Sequence, residues 1–250
     1  MAKSLKVHSI ETFGVHDGPG IRLVIFTQGC CFRCLYCHNP DTQESETDQT
    51  QLKTVAEIME LLERERSYFG ADGRQGGLTL SGGEPTLQAE VATELFKAAQ
   101  KAGFHTCLDS CGGIVGPQVE ALYAVTDLLM LDVKHIDDAW HRKLVGQSNS
   151  NTLKNAQLRE ASGQEMWLRY VLVPGWTDQD QYLEAWAKYF RHFKSVTRVE
   201  ILPYHELGKH KYKELGRPYL LEEVKPPSQE TIQRAETIFR QHLQDKVIVV

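Results

Sequence analysis

Cys30-Cys31-Phe32-Arg33-Cys34-Leu35-Tyr36-Cys37-His38-Asn39 decides how this chain is read. At the spacing C-x3-C-x2-C it sets three thiols, Cys30, Cys34 and Cys37, on one short loop. A zinc or iron–sulfur centre kept for structure alone takes four protein ligands. A centre on three keeps one metal position open, and an open position is where chemistry happens. The loop itself admits two readings. In one, Cys37 and His38 belong to a Cys3His zinc site and Cys31 is a spare thiol. In the other, the three thiolates hold an iron–sulfur cluster. Zinc knuckles usually pair two ligands in each of two loops, whereas the remaining cysteines, Cys107 and Cys111, stand 70 residues and more beyond Cys37.

Outward from the loop, strands and helices alternate. Ile21–Thr27 is apolar and β-branched and reads as a buried strand just before the cysteines. Residues 41–53 are polar and read as a surface loop. Thr54 and Glu57 make a capping box for a helix with an apolar stripe at Val55, Ile58, Leu61, Leu62 and Tyr68-Phe69. Strands are expected at Leu78–Leu80, Phe104–Leu108, Leu128–Val133, Met166–Val173 and Arg198–Leu202. Helices are expected at Ala89–Ala102, with Gly103 as its C-terminal cap, and at 138–145, 152–162, 179–193 and 229–243. The chain closes on a short apolar run, Val247–Val250. About six strand–helix units with mostly apolar strands predict a parallel sheet covered by helices. The unusual residues follow strand ends: Cys30–Cys37, Ser81–Glu84, Asp109-Ser110, Asp132–Lys134 and Pro203–His205. In barrels of this kind those ends form the active-site face.

The chain has 250 residues, long enough for one large domain, and its 41% hydrophobic and 24% charged composition is that of a globular protein. A formal net charge of -5 argues against a general nucleic-acid binder. No apolar run approaches the roughly 20 residues that span a bilayer, and Met1–Lys6 does not resemble a signal peptide. A cytoplasmic location is expected, with the six cysteines as thiols and ligands rather than disulfides.

Several residues carry two readings each. Ser81-Gly82-Gly83-Glu84-Pro85 is either an ordinary turn or a place where backbone approaches a ligand closely. Tyr36 either packs or offers a ring face to a base. Asp132 and Lys134 share a strand face, as a surface ion pair or as ligands for polar groups. Arg169, inside an apolar strand, needs a carboxylate, from a structural Asp or Glu or from a bound molecule. Residues 203–227 form a long connection without a clear helix, either solvated or folded over a site. Gly14–Arg22 is a Gly- and Pro-rich turn.

The cysteine spacing, with Gly82-Gly83-Glu84-Pro85 one strand–helix unit later, resembles the radical S-adenosylmethionine enzymes. Within them the chain is similar to the pyruvate formate-lyase activating enzymes from about residue 5 to the C-terminus. That likeness rests on Gly14–Arg22, Tyr36–Asn39, Pro174-Gly175-Trp176 and Leu202–His210. The resemblance implies a partial (β/α)6 TIM-like barrel and a single domain over 1–250, with a cluster loop at 30–37 and a covering segment at 203–250. It also implies no ferredoxin-like insert, since the 46 residues between Cys37 and Glu84 contain no cysteine. It implies a [4Fe–4S] cluster on Cys30, Cys34 and Cys37, with S-adenosylmethionine on the open iron. Cofactor contacts are then expected from Tyr36, Cys37, His38, Gly82, Gly83, Glu84, Asp109, Met130, Asp132, Val133, Lys134, Arg169 and His205. Asp17 and His38 fall near the substrate's glycine loop, and Asp109 and Met130 around a monovalent cation. Leu108-Asp109-Ser110-Cys111-Gly112 departs from the family's more usual Leu-Asp-Thr-Asn-Gly, and Cys111 gains no role. The implied activity is reductive cleavage of S-adenosylmethionine to methionine and a 5′-deoxyadenosyl radical. That radical takes a hydrogen from a glycine of pyruvate formate-lyase. A flavodoxin or ferredoxin is the implied electron donor, and the chain is expected to be a monomer. Activation of another glycyl radical enzyme, radical chemistry on a small molecule, and a non-enzymatic zinc module are the alternatives.

Overall fold

In the structure, a computed structural model, residues 3–70 and 75–250 are described; Met1 and Ala2, part of the N-terminal stretch considered above, lie outside them. The apolar run before the cysteines forms strand β2, Arg22–Thr27, with Leu23, Val24 and Ile25 wholly buried. It is not the first strand. Ser4–Gly14 forms β1, antiparallel to β2, and Gln51–Thr54 forms a short edge strand β3, antiparallel to the start of β1. Polar residues 41–53 were expected to be a surface loop. They hold β3, and Thr42 and Gln43 are buried. β3 is polar because it is an edge strand, and such strands avoid apolar side chains.

The alternation then proceeds as α1 (Val55–Arg64), β4 (Gly77–Gly82), α2 (Ala89–Lys101), β5 (His105–Ser110), α3 (Pro117–Ala124) and β6 (Leu128–Asp132). It continues with α4 (Asp138–Val145), α5 (Ser150–Ser162), β7 (Met166–Leu172), α6 (Asp180–Phe190) and β8 (Val196–Pro203). The chain ends in α7 (Lys209–Glu214), α8 (Gln229–Leu243) and β9 (Val247–Val249). The strand order is β3-β1-β2-β4-β5-β6-β7-β8-β9, an open and mostly parallel sheet. The expected α/β class with a mostly parallel sheet is therefore present, β2 running parallel to β4, β4 to β5, β7 to β8 and β8 to β9. Two helices were not anticipated: α3, which starts on Pro117, and α7, inside the 203–227 connection expected to lack one.

Local chemistry accounts for the helix ends. Thr54 and Glu57 form the expected reciprocal cap of α1. Asp137 caps α4 through the amide of Trp140, and Ser228 caps α8 through that of Thr231. α4 and α5 end on Gly146 and Gly163, both left-handed.

Two compact units share the chain. The first takes residues up to Cys31, Thr42–Ser110 and Ile114–Met130; the second takes Phe32–Asp41, Cys111–Gly113 and Leu131–Val250. The core of the first centres on Leu23, Ile25, Leu78, Leu80 and Phe96. In the second, Trp186 stacks on Phe239 at 4.9 Å and meets Tyr170 edge-on, tying α6, α8 and β7 together.

Candidate active site

In the first unit, the end of β2 and the end of β4 are laced by backbone. The amide of Gly83 donates to the carbonyl of Thr27 at 3.0 Å, and that of Glu84 to Gly29 at 2.8 Å. Gly29 and Cys30 in turn donate to the carbonyls of Thr42 and Gln43. Gly82 has φ +102°, and a side chain on it would strike the backbone of Phe26 and Thr27. One on Gly83 would strike the Gly29 carbonyl. The paired glycines thus serve a close backbone crossing just before Cys30.

Glu84 is fully buried. Its carboxylate accepts from the amide and hydroxyl of Thr86, at 3.0 and 2.6 Å, and from the Ser110 hydroxyl at 2.9 Å. Ser81 donates to Asp109 at 2.8 Å. The ends of β4 and β5 therefore hold both carboxylates in place; Ser81 and Ser110 stand among the strand-end residues already singled out, whereas Thr86 is a site-shaping residue that residue-type reasoning missed. Met130 lies fully buried in β6. Asp17 is held through its carbonyl, which accepts from Thr79 at 2.7 Å. The same hydroxyl accepts from buried Arg22, whose guanidinium also donates to the carbonyls of Leu78 and His105. Arg22 thereby fixes the Gly-rich turn that carries Asp17.

In the second unit, Cys34 and Cys37 stand at the two ends of a tight turn closed by the Cys37 amide on the Cys34 carbonyl, 3.2 Å. Tyr36, within that turn, packs with Leu35 and Trp176 against Val173, Tyr204 and Leu221. Asp132 and Lys134 pair at 2.6 Å, and with 18% and 10% side-chain exposure they are a buried pair, not a surface one. Burial opposes the charge on Lys134, but Asp132 outweighs it, helped by Tyr36 and Cys34, and holds the ammonium well above the ordinary lysine range. Lys134 also lies over the Tyr36 ring at 5.7 Å. The amide of Val133 donates to the Arg169 carbonyl and its own carbonyl accepts from Trp186, so its backbone is fully engaged. Arg169 finds a structural carboxylate: Nε donates to Glu200 at 2.9 Å across β7 and β8.

The 203–227 segment folds onto the end of the cysteine loop. His205 meets His38 edge-on at 5.0 Å between rings. Burial, and then the neighbouring His205 and Lys211, push the His38 imidazole below its ordinary range. Lys211 donates to Asn39 at 2.9 Å and pairs with Asp41 at 3.1 Å. Burial and the Cys37 and Cys34 thiols raise the Tyr212 hydroxyl. Gly208 permits this approach, since a Cβ there would come within 2.8 Å of the His38 carbonyl.

Asp132 Oδ1 and Tyr36 OH are among the buried polar atoms of the second unit that have no hydrogen-bond partner. Buried groups of this kind are normally satisfied, so they suit a ligand rich in hydroxyl and amino groups. Among the described residues no three His, Cys, Asp or Glu side chains converge as a ready ion site. A cubane asks for a different arrangement, because each thiolate takes its own iron and the ligands stand apart.

The family model of the radical SAM superfamily matches residues 24–187. The chain belongs to that superfamily. Its relatives narrow the membership to the pyruvate formate-lyase activating enzymes. The pyruvate formate-lyase 1-activating enzyme of Escherichia coli (strain K12) is 44% identical over 239 residues, covering 95% of this chain and 96% of that protein. The pyruvate formate-lyase-activating enzyme of Staphylococcus epidermidis is 43% identical over 235 residues, covering 92% of each. Among solved structures, a domain of a pyruvate-formate lyase-activating enzyme from Bacteroides vulgatus superposes with TM-score 0.58 at 22% identity, over 70% of this chain and 99% of that one. SuiB of Streptococcus suis bound to S-adenosylmethionine superposes with TM-score 0.69 at 14% identity, over 97% of this chain and 51% of that one. These two likenesses establish the radical SAM fold. The cofactors of the family are a [4Fe–4S] cluster and S-adenosylmethionine.

Proposed function

We infer that this radical SAM enzyme activates pyruvate formate-lyase by placing a glycyl radical on it, with Cys30, Cys34 and Cys37 as the cluster ligands. The observation that carries this is identity of 44% over 95% of the chain with an enzyme of that name, joined to the three-thiol loop. When bound, the cluster supplies the electron that splits S-adenosylmethionine into methionine and a 5′-deoxyadenosyl radical, which takes the glycine α-hydrogen.

The residues of this chain bind, orient and shield. Asp132, with one oxygen on Lys134 and the other buried without a partner, is suited to accept from a cofactor hydroxyl. Lys134, kept cationic in a buried setting, is suited to a carboxylate. Tyr36 offers a partly buried ring beside them. Gly82, Gly83 and Glu84 are assigned to the amino group, with the Glu84 carboxylate held in place by Thr86 and Ser110. His38 and His205, with Val133 and Arg169, complete the cofactor's surroundings. Asp109 and Met130 are assigned to a monovalent cation, and Asp17 and His38 to the incoming glycine loop.

We assign the electron donor to a flavodoxin or ferredoxin, and the working form to a cytoplasmic monomer of one radical SAM domain without a ferredoxin-like insert. Among the described residues no helix is long and apolar enough to cross a membrane.

The test is anaerobic electron paramagnetic resonance on iron-reconstituted protein, reduced and then given S-adenosylmethionine and pyruvate formate-lyase. The expected result is a cluster signal perturbed by the cofactor, followed by a glycyl radical signal on the partner. A perturbed cluster with no glycyl signal would reject the partner and keep the chemistry. Bound zinc and no cluster would reject both.

A further inference from the structure

We propose that the C-terminal turn of α4 is the template on which the Cys34–Cys37 arm is built, and that His141 is the positioning residue of that template. The proposal rests on the reading of Cys34 and Cys37 as cluster ligands. Its ground lies within the second unit. A helix leaves its last carbonyls without intrahelical partners. Here two of those carbonyls are spent on the cysteine loop: Val145 accepts from the amide of Arg33 at 2.9 Å, and Leu144 from that of Leu35 at 3.0 Å. Those two amides flank Cys34. The thiol is thus strung between two hydrogen bonds to one helix end, and its backbone direction is set by where that end lies.

His141 governs where the end lies. Its Nδ1 donates to the carbonyl of Gln147 at 2.7 Å, across the left-handed Gly146 that terminates the helix. A carbonyl only accepts, so the proton sits on Nδ1. The bond straps the chain after the helix back onto its last turn. The same ring makes a T-shaped contact with Phe32 at 5.4 Å between centroids. His141 and Phe32 are both essentially inaccessible, at 0% and 2% exposure. One side chain therefore holds the helix end by a hydrogen bond and the start of the ligand loop by ring packing. Nothing in the C-x3-C-x2-C spacing points to it, since it lies more than 100 residues beyond the loop. Supporting contacts around metal ligands usually shift metal affinity by about 10- to 100-fold.

The experiment compares wild type with His141→Ala, His141→Phe, His141→Asn and, as a control on an exposed side chain of α4, Lys143→Ala. Each full-length protein is reconstituted anaerobically. Iron and sulfide per chain, the rate of iron loss to a ferrous chelator, and the line shape of the reduced cluster signal are then measured. His141→Ala is expected to lose iron about tenfold faster than wild type, with an altered line shape. His141→Phe keeps the ring on Phe32, and His141→Asn keeps a donor for Gln147, so both should fall between. Lys143→Ala should match wild type. His141→Ala that keeps iron at the wild-type rate with an unchanged spectrum overturns the proposal. Should that variant fail to fold by circular dichroism, the Phe and Asn variants decide, and wild-type behaviour in both overturns it. A wild-type protein that takes up no iron overturns the ligand reading and this proposal together.

Discussion

Gly83 has no room for a side chain, because the carbonyl of Gly29 occupies the place a Cβ would take. The residue is needed for the crossing of two backbones, whatever ligand its neighbour Glu84 meets. Gly83→Ala is therefore expected to destabilise the fold by about 1–3 kcal/mol, the usual cost of overpacking, read as a lower midpoint in urea denaturation. It should also lower iron uptake, since the displaced carbonyl immediately precedes Cys30. An unchanged midpoint would show that the crossing relaxes freely. The residue type was legible in the sequence and its reason was not: a Gly-Gly pair reads equally as a turn or as a ligand approach until the opposing backbone is known. Arg169 is a similar case. Its need for a carboxylate followed from its place in an apolar strand, but the identity of that carboxylate, 31 residues away, depended on strand register.

At the scale of elements, β7 and β8 are joined by a buried charge pair as well as by their ladder. Arg169 and Glu200 have 11% and 5% side-chain exposure. Glu200→Ala takes from buried Arg169 the carboxylate it is paired with, and should cost about 3–5 kcal/mol. Replacing both by apolar residues should cost clearly less, and a double variant as unstable as the single would count against the pair as the cause. The α7 segment makes the second prediction. Gly208→Ala places a methyl against the His38 backbone, which should push α7 away from residues 37–41 and strain the Lys211 contacts to Asn39 and Asp41. Faster proteolysis within 205–217, and faster amide exchange there, is the expected outcome. Unchanged exchange would mean the approach is not tight. The helical periods of α2, α6 and α8 and the caps of α1 were readable because they are local patterns. α7 was missed because six residues of mostly charged sequence carry no apolar stripe, and β3 because an edge strand is kept polar.

For the molecule as a whole, acid is the sensitive direction. Burial pushes His135 down to about 4 from an ordinary 6.5, and His38 and His141 are lowered too, chiefly by burial. A histidine whose folded pKa is depressed takes up its proton more readily when unfolded, so stability rises with pH across that window. These groups should leave stability unchanged above pH 6.5 and erode it as pH falls toward 4. His135 alone accounts for up to about 3 kcal/mol at the acid end. Melting temperatures taken across that range should fall less steeply in His135→Gln, whereas His192→Gln, an exposed site, should keep the wild-type slope. Equal slopes in all three would remove His135 as the cause. The sequence by itself determined the three-thiol loop, the alternation of strands and helices, and the grouping of unusual residues near strand ends, although Ser81, Gly82, Asp109, Ser110, Asp132 and Pro203 are the closing residues of their strands rather than residues after them. These are matters of spacing and period, written in residues that are near one another along the chain. Only the tertiary structure decided that β1 precedes and pairs with β2, that Glu200 answers Arg169, that Ser110 and Thr86 hold Glu84, and that α4 and α7 bear on residues 32–41. Each of those contacts joins distant parts of the chain, and its free energy comes from desolvation and hydrogen bonding that exist only once the backbone has closed around it.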